Sequence, residues 1–318
     1  MKVLVVGGAG YLGGAVTDIL MSHKEHEVRV YDALLYEESY RKNVDFIYGD
    51  IRDRKKLLKQ LKWADAVIWL AALVGDGACQ INPDISAELN HVSVGWLAEN
   101  FDGRIIFMST CSVYGAQDGI LDESSPINPL SVYAVTKFAA EIHLKSKNAI
   151  IFRLGTLFGV SDQFSRLRLD LVVNTMTVKA FTEGSLKVFG GAQYRPLLHV
   201  RDAAQAIVDN IDTKHKGIYN LHKANMKISD LAKEVQSQFD KLKIEKVEMK
   251  FEDSRNYRVS SDKAKKAFGF KPQLVPADGV SELKKLLEEG RIRNLTNPLY
   301  WNELYLSNFK THKLFERE

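Results

Sequence analysis

Short apolar, β-branched runs alternate along the chain with stretches whose apolar residues recur every three or four positions. The first kind predicts buried strands and the second amphipathic helices. Val3 to Val6 is the first strand, and "AVTDILMSH" the helix after it. "EVRVYD" ends on Asp32, "VDFIYGD" ends on Asp50, and "ADAVIWLAA", "GRIIFMST" and "NAIIFRLGTLFG" supply strands four to six. Helices fall between them, at Arg54 to Lys62, at Ser86 to Asn100 and around Tyr133. Strict alternation of this kind predicts right-handed βαβ units and a parallel sheet, a doubly wound α/β fold. Strands apolar throughout predict a sheet covered on both faces.

The rhythm breaks near residue 160. "GVSDQFSRLRLD" is polar and irregular, and the strands that follow, "SLKVFG", "PLLHV" and "KVEMKF", are short. The expected division is a first domain over residues 1–160 and a smaller α/β lobe built mainly from 161–318. "HVRDAAQAIVDNI" reads as a helix returning to the first domain, and "LKKLLEEGRIR" as a solvated amphipathic helix. The aromatic and charged tail from Asn297 to Glu318 could pack on the body or on a partner.

Composition narrows the class without changing the fold. Of 318 residues, 45% are hydrophobic and 26% charged, which is ordinary for a globular protein. The net charge of +4 comes from 44 basic and 40 acidic residues, a balance that argues against nucleic acid as a partner. Two cysteines, Cys79 and Cys111, form neither a disulfide framework nor a metal spacing, so a reducing cytoplasm is expected and a metal is not. No stretch reaches the length of a membrane span.

Chemistry enters with "VLVVGGAGYLGG". Gly7, Gly10 and Gly13 lie between a strand and a helix, where the backbone can approach a pyrophosphate and the helix N-terminus offers amide donors. Asp32 ends the next strand nineteen residues after Gly13, placed to accept from ribose hydroxyls and to repel a 2′-phosphate. This is the Rossmann-type arrangement, and it points to NAD rather than NADP. Tyr11 and Leu12 belong to the same loop. Asp50 and Ile51 are expected at the adenine, and Leu70, Ala71 and Ala72 beside the cofactor at the fourth strand end.

Ser109 and Thr110 end the fifth strand, at the sheet edge where open α/β sheets bind ligands. Tyr133 and Lys137 are four apart on a helix and share a face. A phenol has a pKa of about 10, and a neighbouring ammonium is expected to lower it toward a useful base. Thr110 would then hold a reacting hydroxyl, Tyr133 take its proton and Lys137 reach the nicotinamide ribose. Cys111, His91 and His199 read as packing or structural residues, and Tyr114 as either a pocket wall or packing.

With these residues the chain resembles the extended short-chain dehydrogenases/reductases that modify nucleotide sugars, over nearly its whole length. The resemblance puts the catalytic hydroxyl on Thr110, four before Tyr114 of "VYG", and the Tyr-x-x-x-Lys pair on Tyr133 and Lys137. It implies substrate contacts from Thr156, where the family pattern has Asn, and diphosphate contacts from Arg195 in "GGAQYRPLLHVRD" and Arg255 in "SRNYRVSSDKA". It also implies a homodimer formed through the Tyr-Lys helix. Three reactions share the set: C4 epimerisation, C4 oxidation or reduction, and 4,6-dehydration. Dehydratase relatives carry Asp-Glu directly after the Thr, whereas this chain has Cys111 and Ser112. The reading is therefore a nucleotide-diphosphate-sugar 4-epimerase. A C4 dehydrogenase/reductase is the alternative, since "LAALVG" and "RLRLDLVVN" are similar to a subgroup that oxidises a GDP-heptose at C4. A dehydratase and a non-catalytic NAD(H) binder stand further back.

Overall fold

The computed structural model describes residues 1–23, 25–248 and 255–308. In chain order it runs β1 (Lys2–Val6), α1 (Tyr11–Ser22), β2 (Glu27–Asp32), β3 (Asp45–Tyr48), α2 (Arg54–Leu61), β4 (Ala66–Trp69), α3 (Asp76–Ile81), α4 (Pro83–Ala87), α5 (Ser93–Asn100), β5 (Arg104–Thr110), β6 (Ala116–Leu121), α6 (Val132–Leu144), β7 (Ala149–Leu154) and β8 (Thr156–Phe158). It continues with α7 (Val172–Glu183), β9 (Ser185–Phe189), β10 (Tyr194–His199), α8 (Val200–Asp209), β11 (Gly217–Leu221), β12 (Ala224–Lys227), α9 (Ile228–Gln236), β13 (Lys243–Val247), β14 (Asn256–Val259), α10 (Asp262–Phe268), α11 (Pro276–Glu288) and α12 (Asn302–Asn308).

Seven strands form one parallel sheet in the order β3-β2-β1-β4-β5-β7-β11. The chain winds outward in both directions from β1, which puts the topological switch, and so a ligand crevice, between β1 and β4. Alternate residues of β1 face opposite sides. Val3 and Val5 belong to the core under α1 and α8, and Leu4 and Val6 to the core under the helices between β4 and β7. Burial on both faces is what makes these strands apolar throughout.

β11 and α8 lie beyond residue 160 yet join the sheet layer, β11 beside β7 and α8 against α1. The remaining late strands form small pairings. β10 joins β8 and β12, β13 joins β9, and β14 joins β6. The β14–β6 pair brings the segment just after Arg255 alongside the chain leaving the end of β5.

Three sequence expectations change. The helix expected over Ser86 to Asn100 is interrupted by a π turn over Glu88–Val92, between α4 and α5. There the buried Asn90 side chain bonds both Leu73 N–H (2.8 Å) and Leu73 C=O (2.9 Å), satisfying the backbone just past β4. The sixth strand splits at Gly155, whose N–H bonds Leu221 C=O, and β8 leaves to pair with β10. The strand expected at "KVEMKF" is β13, displaced to Lys243–Val247, and the rest of that stretch lies outside the described residues. α11 buries Leu283 and Leu287 on one face, in keeping with the amphipathic reading of "LKKLLEEGRIR". Among the described residues no helix is long and apolar enough to cross a membrane.

Candidate active site

One cleft of about 750 Å³ runs along the carboxyl ends of the strands, and every residue expected above to bind cofactor or substrate or to act in catalysis lines it. Its first end is built from the glycine loop. Gly7 has φ +87°, and a Cβ there would lie 2.5 Å from Ala71 N. A Cβ on Gly13 would lie 2.5 Å from Gly7 O. Only glycine lets this loop lie against the end of β4, where Leu70 and Ala71 both donate to Val6 C=O. Gly10 then caps α1, and Tyr11, Leu12 and Gly13 begin it with their amides at the cleft. The Tyr11 hydroxyl points away and donates to Gly159 C=O at 2.7 Å, so its side chain fastens the loop to the chain after β8.

Asp32 accepts from Ala9 N–H (2.9 Å) and Leu34 N–H (2.7 Å). Burial raises its pKa and these amides oppose the rise. A carboxylate has about four acceptor sites, so capacity remains for ribose hydroxyls. Asp50 is engaged by Arg52 through a 2.7 Å ion pair and a 2.8 Å backbone bond. Burial would raise its pKa, but Arg52 outweighs that and holds it below the usual carboxylate range. The cradle, the helix start and the free acceptor capacity of Asp32 fit a dinucleotide.

In the middle of the cleft, Thr110 at the end of β5 faces Tyr133 and Lys137 on α6. α6 is held by a buried network. Arg153 of β7 forks onto Glu141 of α6 (3.0 and 2.7 Å), Ser109 Oγ donates to Glu141 at 2.5 Å, and Arg153 also reaches Tyr114. Tyr114 is fully buried and donates to Asn220, which makes it packing rather than a pocket wall. Cys111 is fully buried, its Sγ donates to Arg153 C=O at 3.2 Å, and burial pushes its thiol pKa far up. Ser112 bonds the Tyr257 hydroxyl at 3.1 Å.

The electrostatics correct one expectation. The Tyr133 pKa is raised rather than lowered. Burial dominates, the neighbouring Cys79 and Asp76 add to it, and Arg168 and Thr110 oppose it. Lys137 is equally buried, and desolvation pushes its ammonium down to about 7. Its Nζ stands 4.2 Å from the Phe107 ring centroid, a cation–π contact that replaces water. In a site this dry, desolvation outweighs the attraction between an ammonium and a phenolate.

The far end belongs to late segments. Thr156 starts β8, beside Leu197 of β10. Arg195 is buried and donates to the backbone carbonyls of Tyr194 (2.8 Å) and Arg255. Arg255 is ion-paired with Asp76 at 2.5 Å. His199 is buried, donates to Glu282 at 3.0 Å and has its pKa lowered to about 4 by burial, so it is a neutral structural group. His91 is not isolated: its Nε2 lies 2.9 Å from that of His143. Among the described residues no group of three or more His, Cys, Asp or Glu is placed to hold a metal.

Sequence reading missed Asp76, Arg166, Arg168, Asp170 and Asn302, all of which line the cleft. Arg168 forks onto Asp170 (2.9 and 2.8 Å). Asn302 of α12 donates to Val74 C=O at 2.8 Å and accepts from Arg166, whose other arm bonds Leu299 C=O. The tail as far as Asn308 thus packs on the body, with Tyr305 against Tyr36, and 309–318 lie outside the described residues. The alternating Arg-x-Arg-x-Asp of "RLRLD" was the one sequence trace of this wall.

Residues 3–221 match the family model described as the NAD dependent epimerase/dehydratase family. A UDP-glucose 4-epimerase of Rhizobium meliloti is 28% identical, over 86% of this chain and 92% of its own. A dTDP-glucose 4,6-dehydratase of Mycobacterium tuberculosis is 27% identical, over 65% of this chain and 67% of its own. The UDP-glucose 4-epimerase of Thermotoga maritima, solved with UDP-glucose, superposes with a TM-score of 0.79 over 92% of this chain and 100% of its own, at 21% identity.

Proposed function

The chain belongs to the NAD-dependent epimerase/dehydratase family, extended short-chain dehydrogenases/reductases, and on that premise we propose that it is a nucleotide-sugar 4-epimerase. The observation that carries the choice is the environment of Cys111 and Ser112. Elimination of water needs an acid and a base beyond Tyr133, and relatives of the dehydratase kind carry Asp-Glu at these two positions. Here the thiol is locked in the core and the serine hydroxyl is held by Tyr257. Neither is a carboxylate, and neither is poised to move a proton.

The roles follow from position. Gly7, Gly10, Tyr11, Leu12 and Gly13 would hold the pyrophosphate of NAD, Asp32 the adenosine ribose, Asp50 and Ile51 the adenine end, and Leu70, Ala71 and Ala72 the face of the cofactor beside β4. Bound NAD supplies the hydride acceptor for C4. Thr110 hydrogen-bonds the C4 hydroxyl, and Tyr133 would take its proton as the 4-keto sugar forms once the positive charge that bound NAD adds to the cleft offsets the burial that keeps the phenol protonated without it. Tyr133 returns that proton when the ketone is reduced from its other face. Lys137, half-titrated near neutrality, supplies a nearby exchangeable charge. Thr156, Arg195 and Arg255 hold the diphosphate, bidentate guanidinium geometry suiting phosphate oxygens. Val135 and Ile142 are exposed and seven apart on α6, a face that suits pairing with a second copy of the chain.

The test is incubation of the NAD-loaded protein with a panel of UDP-, dTDP-, GDP- and CDP-sugars, with products followed by mass and NMR. Unchanged mass with an inverted C4 is the expected result. Loss of two hydrogens with stoichiometric NADH identifies the C4 dehydrogenase. A product lighter by one water overturns the assignment.

A further inference from the structure

Asp76 starts α3 just past β4, and its two oxygens face in different directions. Oδ2 lies 2.5 Å from the Arg255 guanidinium, 179 residues along the chain. Oδ1 accepts from Ser131 Oγ at 2.6 Å. Ser131 is the N-cap of α6, and its hydroxyl accepts in turn from Ala134 N–H at 3.2 Å. Tyr133 sits in that first turn. On the other side, Arg195 donates to the Arg255 carbonyl. One half-buried carboxylate thus connects the two arginines of the far end to the cap of the helix that carries the phenol.

This arrangement does two physical things. A guanidinium is a planar fork, so the Asp76 carboxylate on one edge fixes the plane in which Arg255 would meet a phosphate. Fixing its long side chain beforehand removes rotamer freedom that a ligand would otherwise have to freeze. A serine hydroxyl that donates to a carboxylate is also a better and better-oriented acceptor for the helix amide.

We propose that Asp76 is a positioning residue, which holds Arg255 for the substrate diphosphate and fixes the first turn of α6, so that anion binding and the placement of Tyr133 are coupled through one side chain. The diphosphate half rests on the nucleotide-sugar reading above, and the α6 half does not.

The test uses the NAD-loaded full chain. UDP, dTDP, GDP and CDP are titrated calorimetrically, and hydrogen exchange is read over residues 131–137. Asp76→Ala should weaken the best-bound nucleotide about tenfold, as should Arg255→Met. The double variant should be no weaker than Arg255→Met alone, because Asp76 acts through Arg255. Asp76→Ala should also speed exchange over 131–137 about fivefold without nucleotide, the loss of one cap contact. Ser131→Ala should lower kcat while leaving KM and nucleotide affinity within twofold. Asp76→Asn keeps the shape and the acceptor for Ser131. It should lose nucleotide affinity yet keep slow exchange, and it carries the test if the alanine variant does not fold. Additive losses in the double variant, tighter binding by Asp76→Asn than by wild type, or unchanged exchange in Asp76→Ala each overturn the proposal. If the wild type binds none of the four nucleotides, the nucleotide-sugar reading fails with the diphosphate half, and exchange still decides the link to α6.

Discussion

The two ends of the cleft are held together in different ways. The cofactor end is assembled from Gly7 to Ala72, mostly by backbone: strand ends, a helix start, and glycines pressed against neighbouring main chain. The far end is assembled from segments up to 179 residues apart, and side-chain ion pairs and carbonyl contacts hold it. Backbone fixed by a parallel sheet cannot shift without breaking ladder bonds. The Arg255–Asp76 pair, with side chains 36% and 26% exposed, can exchange partners at less cost than a buried backbone ladder can shift. The first end therefore suits a cofactor that stays, and the second a substrate that comes, turns and leaves.

The largest effect belongs to the residue between the two ends. Tyr133→Phe keeps the ring and removes the hydroxyl proposed to carry the proton. Turnover should fall by about 10²–10⁴, while calorimetric affinities for NAD and for the nucleotide stay within about threefold. Turnover within a few-fold of wild type would show that another group holds the role. A loss of both affinities would show that Tyr133 braces the cleft instead.

Next comes the cofactor end. Gly13→Ala forces a methyl against Gly7 O and the Gly8 backbone, neither of which can give. Overpacking of this kind costs about 1–3 kcal/mol, so NAD affinity should drop about 10–100-fold. Retained affinity would mean that this end is as adaptable as the other.

Asp32→Ser should have a smaller effect, about tenfold on NADH, from the loss of charge-assisted bonds. It should also narrow the preference over NADPH. Two effects combine here, since Asp32 pins Ala9 and Leu34 as well as holding the place proposed for the ribose. A wild type that binds NADPH more tightly than NADH would contradict the assignment of Asp32.

The same contrast explains what could be read from the chain. The cofactor end is written in local rules: a β-branched run, glycines at set spacing, a helix, a carboxylate at the next strand end. The break in the helix over 88–92 was invisible because its cause, Leu73, is a loop residue seventeen positions away. β11 escaped notice because "GIYNL" is five residues long and opens on a glycine at φ +89°. At the far end, Arg195 and Arg255 were legible only through family resemblance. Asp76 and Asn302 carried no periodic pattern at all, and Arg168 only the alternation of "RLRLD". Their meaning lies in which distant group each one meets, and that is decided by topology.

The smallest effect tests how dry the middle of the cleft is. Lys137 is 4% exposed and has its pKa pushed down to about 7 by burial, against about 10.4 in an unfolded chain. Below pH 7 the folded and unfolded chains both carry the proton, and the folded chain bears the full cost of a buried charge. Between pH 7 and 10.4 the folded chain releases the proton first. The unfolded chain then binds more protons, and stability rises with pH, by at most about 1.4 kcal/mol per unit. Above about pH 9 the raised pKa values of Cys79 and Tyr133 pull in the opposite direction, so the useful window is pH 6.5–8.5. Lys137→Met keeps the stem and removes the charge. In cofactor-free protein it should melt higher than wild type at pH 6.5, and the gap should shrink by about 2 °C per pH unit across the window. A gap that stays constant with pH would mean that Lys137 keeps its proton in the fold. The middle of the cleft would then be wet and adaptable like the far end, and the line between the two ends would have to be drawn closer to the glycine loop.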